Sequence, residues 1–241
     1  MDRLYGTSAE HAVFYQYNFH KARNVFAGMI QTESPYYQPT PKPPLPFAGQ
    51  VGKMPGDPTY TCAANDEFSG CDESWALIIR ESSNIFVAGA GLYSWFSTYT
   101  QTCIAGQLCQ KALALFDKNA ASVRIQHMIT IGAKYMAVMN GVGIKAADNL
   151  NVNSHPFWSQ ISVLDVKSSG AQYDRLVWID PKMWDMAQPA FTCVAPCYVQ
   201  LPPWKSAAST INYPVLTVSS GGKCLYVLST MSRCTEILTP A

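Results

Sequence analysis

Two glutamates, Glu10 and Glu33, stand 23 residues apart near the start of the chain. Glu10 sits in Gly6-Thr7-Ser8-Ala9-Glu10-His11, and Glu33 in Met29-Ile30-Gln31-Thr32-Glu33-Ser34-Pro35-Tyr36-Tyr37. Each lies beside a strand-like, aromatic-rich run. Two carboxyl groups flanking one glycosidic bond are the usual apparatus of sugar hydrolysis. A spacing of 23 residues is also about the length of one coil of a β-solenoid. One coil between the glutamates would stack them on neighbouring rungs, whose backbones lie roughly 4.8 Å apart.

A general acid must carry a proton at working pH, and both a neighbouring carboxylate and partial burial favour that form. Glu33, beside Tyr36, Tyr37 and a proline-rich segment, could receive both effects. Glu10 would then stay ionised and orient water on the far face of the sugar. That inverting arrangement needs carboxyls about 6.5–9.5 Å apart, so side chains on adjacent rungs must diverge. Solvated or turn-capping glutamates would have the same spacing.

Tyr36, Tyr37, Trp95 and Phe96 could stack on the apolar faces of glucose rings, although core packing accounts for any one of them equally well. Trp75, Trp158 and Trp178 sit in apolar strand contexts and read as core. Asp72 and Glu73 form a second acidic pair, read as loop or subsite residues. His11, His20, His127 and His155 show no ligand spacing with Cys or acidic residues, so no metal is expected. Gly89-Ala90-Gly91 lacks the lysine of a phosphate loop, and no cofactor is expected.

The elements that must hold these groups are strands. Ala22-Arg23-Asn24-Val25-Phe26-Ala27-Gly28 is echoed by Ser82-Ser83-Asn84-Ile85-Phe86-Val87-Ala88-Gly89 and, more loosely, by Ala121-Ser122-Val123-Arg124-Ile125-Gln126-His127-Met128. Each copy follows another apolar strand. A strand, a turn carrying Asn or Ser, a second strand and then Gly is the cadence of a right-handed parallel β-helix. Asn tolerates left-handed backbone angles and Gly permits a sharp corner. The expected fold is therefore all-β: a right-handed parallel β-helix, a pectate-lyase-like solenoid, with long loop insertions. An ordinary β-sandwich is the alternative.

Insertions are expected at about 35–74 and 140–157. The first opens with six prolines in residues 35–47, which excludes a central strand because proline removes ladder donors. An extended polyproline-like loop is expected there, forming part of the wall around Glu33. Thr102 to Ala114 is the best candidate for a short helix.

Composition narrows the function classes. The 241 residues carry 17 Lys plus Arg against 16 Asp plus Glu, with no basic stripe or polybasic cluster, so neither nucleic acid nor an anionic membrane is an expected partner. Charged residues are 14% and aromatics 12%, which suits a neutral ligand such as a sugar. The eight cysteines fall in local pairs: Cys62 with Cys71, Cys103 with Cys109, Cys193 with Cys197, and Cys224 with Cys234. Even number and short spacing suggest disulfides and an oxidising compartment, although spacing does not fix connectivity. The chain begins Met1-Asp2-Arg3-Leu4-Tyr5-Gly6 without an apolar signal region. The expectation is a piece of a longer secreted protein.

Several long segments resemble glycoside hydrolase family 55, the mostly fungal β-1,3-glucanases. They are Tyr5-Gly6-Thr7-Ser8-Ala9-Glu10-His11, Phe14-Tyr15-Gln16-Tyr17, and Gly28-Met29-Ile30-Gln31-Thr32-Glu33-Ser34-Pro35-Tyr36-Tyr37-Gln38-Pro39. Gly70-Cys71-Asp72-Glu73-Ser74-Trp75, Gly89-Ala90-Gly91-Leu92-Tyr93-Ser94-Trp95-Phe96 and His155-Pro156-Phe157-Trp158-Ser159-Gln160 continue the match. The resemblance covers about residues 4–218. It implies two tandem right-handed parallel β-helices in the full family chain, of which residues 1–218 would be the C-terminal one. It implies Glu33 as general acid and Glu10 as a residue helping to hold the attacking water. It also implies a missing N-terminal β-helix that supplies the other water-holding groups, a Gln and a Ser, and β-1,3-glucan of the laminarin type as substrate, hydrolysed from chain ends. Residues 219–241 depart from the family pattern as a divergent tail. A non-catalytic glucan-binding or adhesive β-helix is the rival reading.

Overall fold

The apolar runs become strands, which the chain deals alternately to two sheets. A computed structural model describes residues 2–68, 71–120, 123–151, 155–166 and 197–199. All belong to one of the chain's two compact units, Met1–Gln172 with Thr192–Trp204. Its strands are β1 (Asp2–Glu10), β2 (Tyr15–His20), β3 (Arg23–Glu33), β4 (Trp75–Arg80), β5 (Ser83–Tyr93), β6 (Gln110–Asp117), β7 (Val123–Ile131), β8 (Ala133–Met139), β9 (Val142–Lys145), β10 (Leu150–Asn151), β11 (His155–Asp165) and β12 (Cys197–Val199). Through β8, odd-numbered strands join one sheet and even-numbered strands the other. Every neighbour in the runs β1-β3-β5-β7 and β2-β4-β6-β8 is parallel. The later additions reverse direction: β9 pairs antiparallel with β8, and β11 antiparallel with β7, β10 and β12.

The repeated segments pair in register. Val25 lies opposite Ile85, and Ile85 opposite Val123. Inward columns such as Ile30, Ala90 and Met128 meet Leu77, Leu113 and Phe116 from the second sheet in a common core. Strands buried this way read as near-continuous apolar runs, as Trp75–Arg80 does.

A kink within the first sheet decides what the site can be. Gly6, Met29, Gly89 and His127 all have positive φ, from 53° to 91°, and each interrupts the strand register at the same level. In β3 the buried residues are Val25 and Ala27 before the kink, but Ile30 and Thr32 after it. The inside–outside alternation slips by one residue. Without that slip Glu33 would share the parity of Val25 and point into the core, because strand side chains alternate faces. With it, Gln31 and Glu33 face outward on the side of Phe26 and Gly28. Glycine adopts this conformation without a Cβ penalty, whereas Met29 and His127 do so against preference, at about 1–2 kcal/mol each.

The tight corners between sheets differ from expectation in residue type. Asn24 and Asn84 are left-handed, with Asn84 Nδ2 donating to Asn24 Oδ1 at 2.6 Å. The corner position itself falls to Lys21, Glu81 and Lys118, φ 51–53°. Buried Ser82 and Asn119 bond the corners together: Ser82 Oγ accepts from Ala22 N, and Asn119 Oδ1 from Ser82 N.

Other expectations are corrected. Thr102 to Ala114 is not a helix: turns cover 102–107 and Gln110 opens β6. The parallel register with β8 captures its apolar residues. The proline segment is not an extended polyproline loop. It folds into successive turns, closed by Gln38 N on Pro35 O, Thr40 N on Tyr37 O, Leu45 N on Lys42 O and Phe47 N on Pro44 O. Proline pre-sets the φ of a turn corner as readily as that of an extended chain. Among the described residues of 35–74 there is no strand, while those of 140–157 include β9, a 3-10 turn at Ala147–Asn149, β10 and the start of β11. The tail 219–241, Trp178, Cys193, Cys224 and Cys234 lie outside the described residues.

Candidate active site

Glu10 and Glu33 end their strands together, as direct partners in the β1–β3 register, and Glu33 pairs in turn with Tyr93. The spacing of 23 residues thus becomes one step between adjacent strands. Ser8 Oγ (2.6 Å) and Gln31 Nε2 (3.0 Å) both donate to Glu10 Oε1. Ser8 and Gln31 occupy the preceding outward position of the same two strands. The kink therefore presents the carboxylates and their polar neighbours as one outward patch.

The spacing of His11 carries no ligand pattern, yet the structure brings it in. It leaves β1 in the left-handed conformation, φ 62°, and its N–H donates to Glu33 O at 2.8 Å. Its Nε2 then lies 3.4 Å from Glu33 Oε2. Tyr36 OH donates to the same oxygen at 2.7 Å. The carboxylate beside it pushes the Tyr36 phenol up to about 12, chiefly through that hydrogen bond. One ligand atom each of Glu10, His11 and Glu33 lies within 4.8 Å of the others. A divalent cation could use such a donor set, but two of these carboxylate oxygens already accept protein hydrogen bonds.

The expected aromatic residues lie close by in differing roles. The Tyr36 ring packs against His11 (centroids 4.5 Å) and Phe96 (4.2 Å). Trp95 packs on Tyr93 at 5.3 Å, and Tyr93 on Trp158 at 5.8 Å. Tyr37 is half-buried, and burial raises its phenol pKa. Tyr93 is not among the residues that the sequence singles out, although its strand is one of the repeated segments and its place beside Glu33 follows from their register. Trp75 is core, 5% exposed; Trp158 is half-buried at the edge of the aromatic group.

Behind this patch a buried polar network fixes the loops. Gln110 Oε1 accepts from Ser34 Oγ (2.6 Å) and Gln38 Nε2 (3.1 Å), while its Nε2 donates to Ser74 O (2.7 Å). Gln38 Oε1 accepts from Ser74 N, and Ser74 Oγ donates to Ala12 O. Ser34 follows Glu33 and Ala12 follows His11, so one satisfied network anchors both ends of the site. Such networks rigidify what they connect.

Asp72 and Glu73 stand apart from the pair. Burial raises the Asp72 pKa, but hydrogen bonds from Lys111 and Lys42 prevail and hold it low, with nitrogens at 2.5 and 2.6 Å. Burial, then the Asp72 charge, pushes Glu73 up to about 7. The disulfides Cys62–Cys71 and Cys103–Cys109 are formed.

Two known proteins similar to the chain carry glucan-cleaving names. It is 39% identical over 141 residues to a probable glucan endo-1,3-beta-glucosidase of Arthroderma benhamiae. It is 34% identical over 157 residues to a glucan 1,3-beta-glucosidase of Cochliobolus carbonum. The chain is similar to fungal proteins named as glucan 1,3-beta-glucosidases over a part of their length. These alignments cover 58% and 62% of this chain, but only 15% and 18% of the two relatives. A non-secreted LysM effector of Penicillium expansum is 46% identical over 86 residues, 36% of this chain and 6% of that one. No family model matches the chain.

Proposed function

We propose that the chain is the acid-bearing part of a family 55 β-1,3-glucan hydrolase, with Glu33 as general acid and Glu10 holding the attacking water. The observation that carries this is the shared register position of the two glutamates on adjacent strands, facing outward. The alternation of parallel strands between two sheets supports the right-handed parallel β-helix, here the C-terminal one. The disulfides support an extracellular setting. The substrate is laminarin-type glucan, attacked from its ends.

In this mechanism Tyr36 and His11 hold Glu33 Oε2, so Glu33 Oε1 is the oxygen that faces the scissile bond and gives its proton to the departing sugar oxygen. Ser8 and Gln31 hold Glu10 Oε1, and Glu10 Oε2 takes the water. The C1–O bond breaks as the departing oxygen takes the Glu33 proton, water oxygen joins C1, and a water proton passes to Glu10 Oε2. A missing N-terminal β-helix, with a Gln and a Ser, completes the water site.

A second reading comes from the separation. An oxygen of Glu10 within 4.8 Å of one of Glu33 is closer than the about 6.5–9.5 Å usual for inversion, and nearer the roughly 5–5.5 Å of retaining pairs. Retention would make Glu10 the nucleophile, forming a glycosyl ester that water then cleaves.

The test is glucose release from laminarin by the purified chain beside its Glu33→Gln variant. Release that disappears in the variant supports the hydrolase, and the anomer formed first, read by proton NMR, separates inversion (α) from retention (β). A folded chain that binds laminarin without releasing sugar supports a binding module instead.

A further inference from the structure

The carboxylates occupy only one end of the outward face of the first sheet. Going back along the same strands, Glu10 and Glu33 are followed by Ser8 and Gln31, then past the kink by Tyr5 and Gly28, then by Arg3 and Phe26. On β5 the matching positions are Tyr93, Gly91, Ala88 and Phe86. Between the two ends this face carries Ser8, Gln31, Gly28, Ala88 and Gly91, with the Tyr93 side chain lying over Gly91. At its far end three rings run across β1, β3 and β5. Tyr5 and Phe26 have centroids 5.6 Å apart, and Phe26 and Phe86 5.8 Å.

Gly28 explains how the rings lie. A Cβ there would meet Phe26 Cε1 at 3.1 Å and Tyr5 Cδ1 at 3.4 Å. Both rings thus reach over the bare α-carbon, tilted 51° to one another, and Tyr5 stays largely exposed. Covering a strand glycine is one use of an aromatic ring, but it does not account for Tyr5 remaining 65% exposed. From Phe26 to Glu33 is seven residue steps with one kink, or about 20 Å at roughly 3.3 Å per residue. That span takes several hexose units.

We propose that Tyr5, Phe26 and Phe86 form a distal binding platform for the same β-1,3-glucan chain whose end reaches Glu33. The inference rests on the proposed function. It commits to a glucan because the platform continues the carboxylate face along the same three strands, over a floor with little charge. A sugar's apolar face needs only an exposed ring, which tolerates the polymer sliding as ends are consumed.

The experiment is calorimetric titration of the purified chain with laminarin and with laminaritriose, too short to reach both ends. The variants are Tyr5→Ser and Tyr5→Ser with Phe26→Leu. Wild type should bind laminarin at least tenfold more tightly than the trisaccharide. The double variant should lose fivefold or more of its laminarin affinity, with trisaccharide affinity unchanged. Equal laminarin affinity in wild type and a folded double variant would overturn the platform while leaving the carboxylate site standing. Absence of binding to either glucan by the folded wild type would defeat the functional reading and the platform together. If the double variant does not fold, Tyr5→Ser alone decides, since that exposed side chain carries little packing.

Discussion

Glu10 and Glu33 share one position in the register of adjacent parallel strands, and a left-handed residue within each strand turns both side chains outward. Gly6 does this for Glu10 and Met29 for Glu33. Three polar side chains then hold one oxygen of each carboxylate: Ser8 and Gln31 on Glu10, Tyr36 on Glu33. His11 braces the Glu33 side from the next residue along.

Tyr36 is expected to act through Glu33 rather than as a sugar platform, because its ring is packed against both His11 and Phe96. A hydrogen bond to a charged group contributes about 1.5–3 kcal/mol, so Tyr36→Phe should lower kcat on laminarin about ten- to a hundredfold. KM should change little, and the pH–rate profile should shift. Phe96→Leu, which keeps the hydroxyl in place, should do far less. A raised KM with unchanged kcat in Tyr36→Phe would restore the stacking role.

Glu73 makes stability depend on pH in an identifiable direction. Its folded pKa of about 7 exceeds the ordinary 4.5, so the folded state holds this proton more tightly than the unfolded one. The resulting stabilisation is complete below about pH 4.5 and is lost as pH rises through 7, on the order of 3 kcal/mol. Asp72 acts in the opposite sense, since its lowered pKa favours the fold above its ordinary value and loses that as pH falls. Denaturant unfolding between pH 4.5 and 8 should show stability falling in the wild type. Glu73→Gln should flatten that slope; an unchanged slope would show that Glu73 is not its source.

Much of this arrangement is legible in the sequence. The copies beginning at Ala22, Ser82 and Ala121 pair in register, and the 23-residue spacing of the glutamates places them on adjacent strands. Illegible were the features set by backbone conformation. Left-handed Lys21, Glu81 and Lys118 have no local signal, since only Gly and Asn advertise that region. The reach of His11 back to Glu33 depends on such a residue. Thr102 to Ala114 looked helical because the capture of β6 by β8 is a long-range event. Tyr36 could be placed near Glu33 from sequence, but whether its ring or its hydroxyl is used depends on Phe96, 60 residues away.

The Cys103–Cys109 disulfide closes the turn that leads into β6 and Gln110. A loop this short constrains the unfolded chain by about 2 kcal/mol. A Cys103→Ser, Cys109→Ser double variant should lose about that much stability by urea unfolding, with some further loss because Cys109 is buried. A midpoint within error of wild type would mean that the turn is held by its hydrogen bonds alone.

Gly132 joins β7 to β8 at φ +78°, and a Cβ there would collide with the Ser94 carbonyl oxygen and approach Cys109 Sγ at 3.2 Å. Its N–H donates to Gln107 Oε1 at 2.7 Å and its carbonyl accepts from Gln110 N at 3.0 Å. Gln110 in turn anchors Ser34 and Gln38 beside the carboxylate patch. Gly132→Ala should therefore cost about 3 kcal/mol or more, combining left-handed strain with overpacking, and should reduce glucan turnover in whatever fraction still folds. Gly141→Ala separates the two causes. Its φ is similar, +81°, but nothing lies within 4 Å of the new Cβ, so only the backbone strain of about 1 kcal/mol remains. Equal losses of stability in the two variants would show that the contact with Ser94 relaxes freely and that this corner does not hold the site in place.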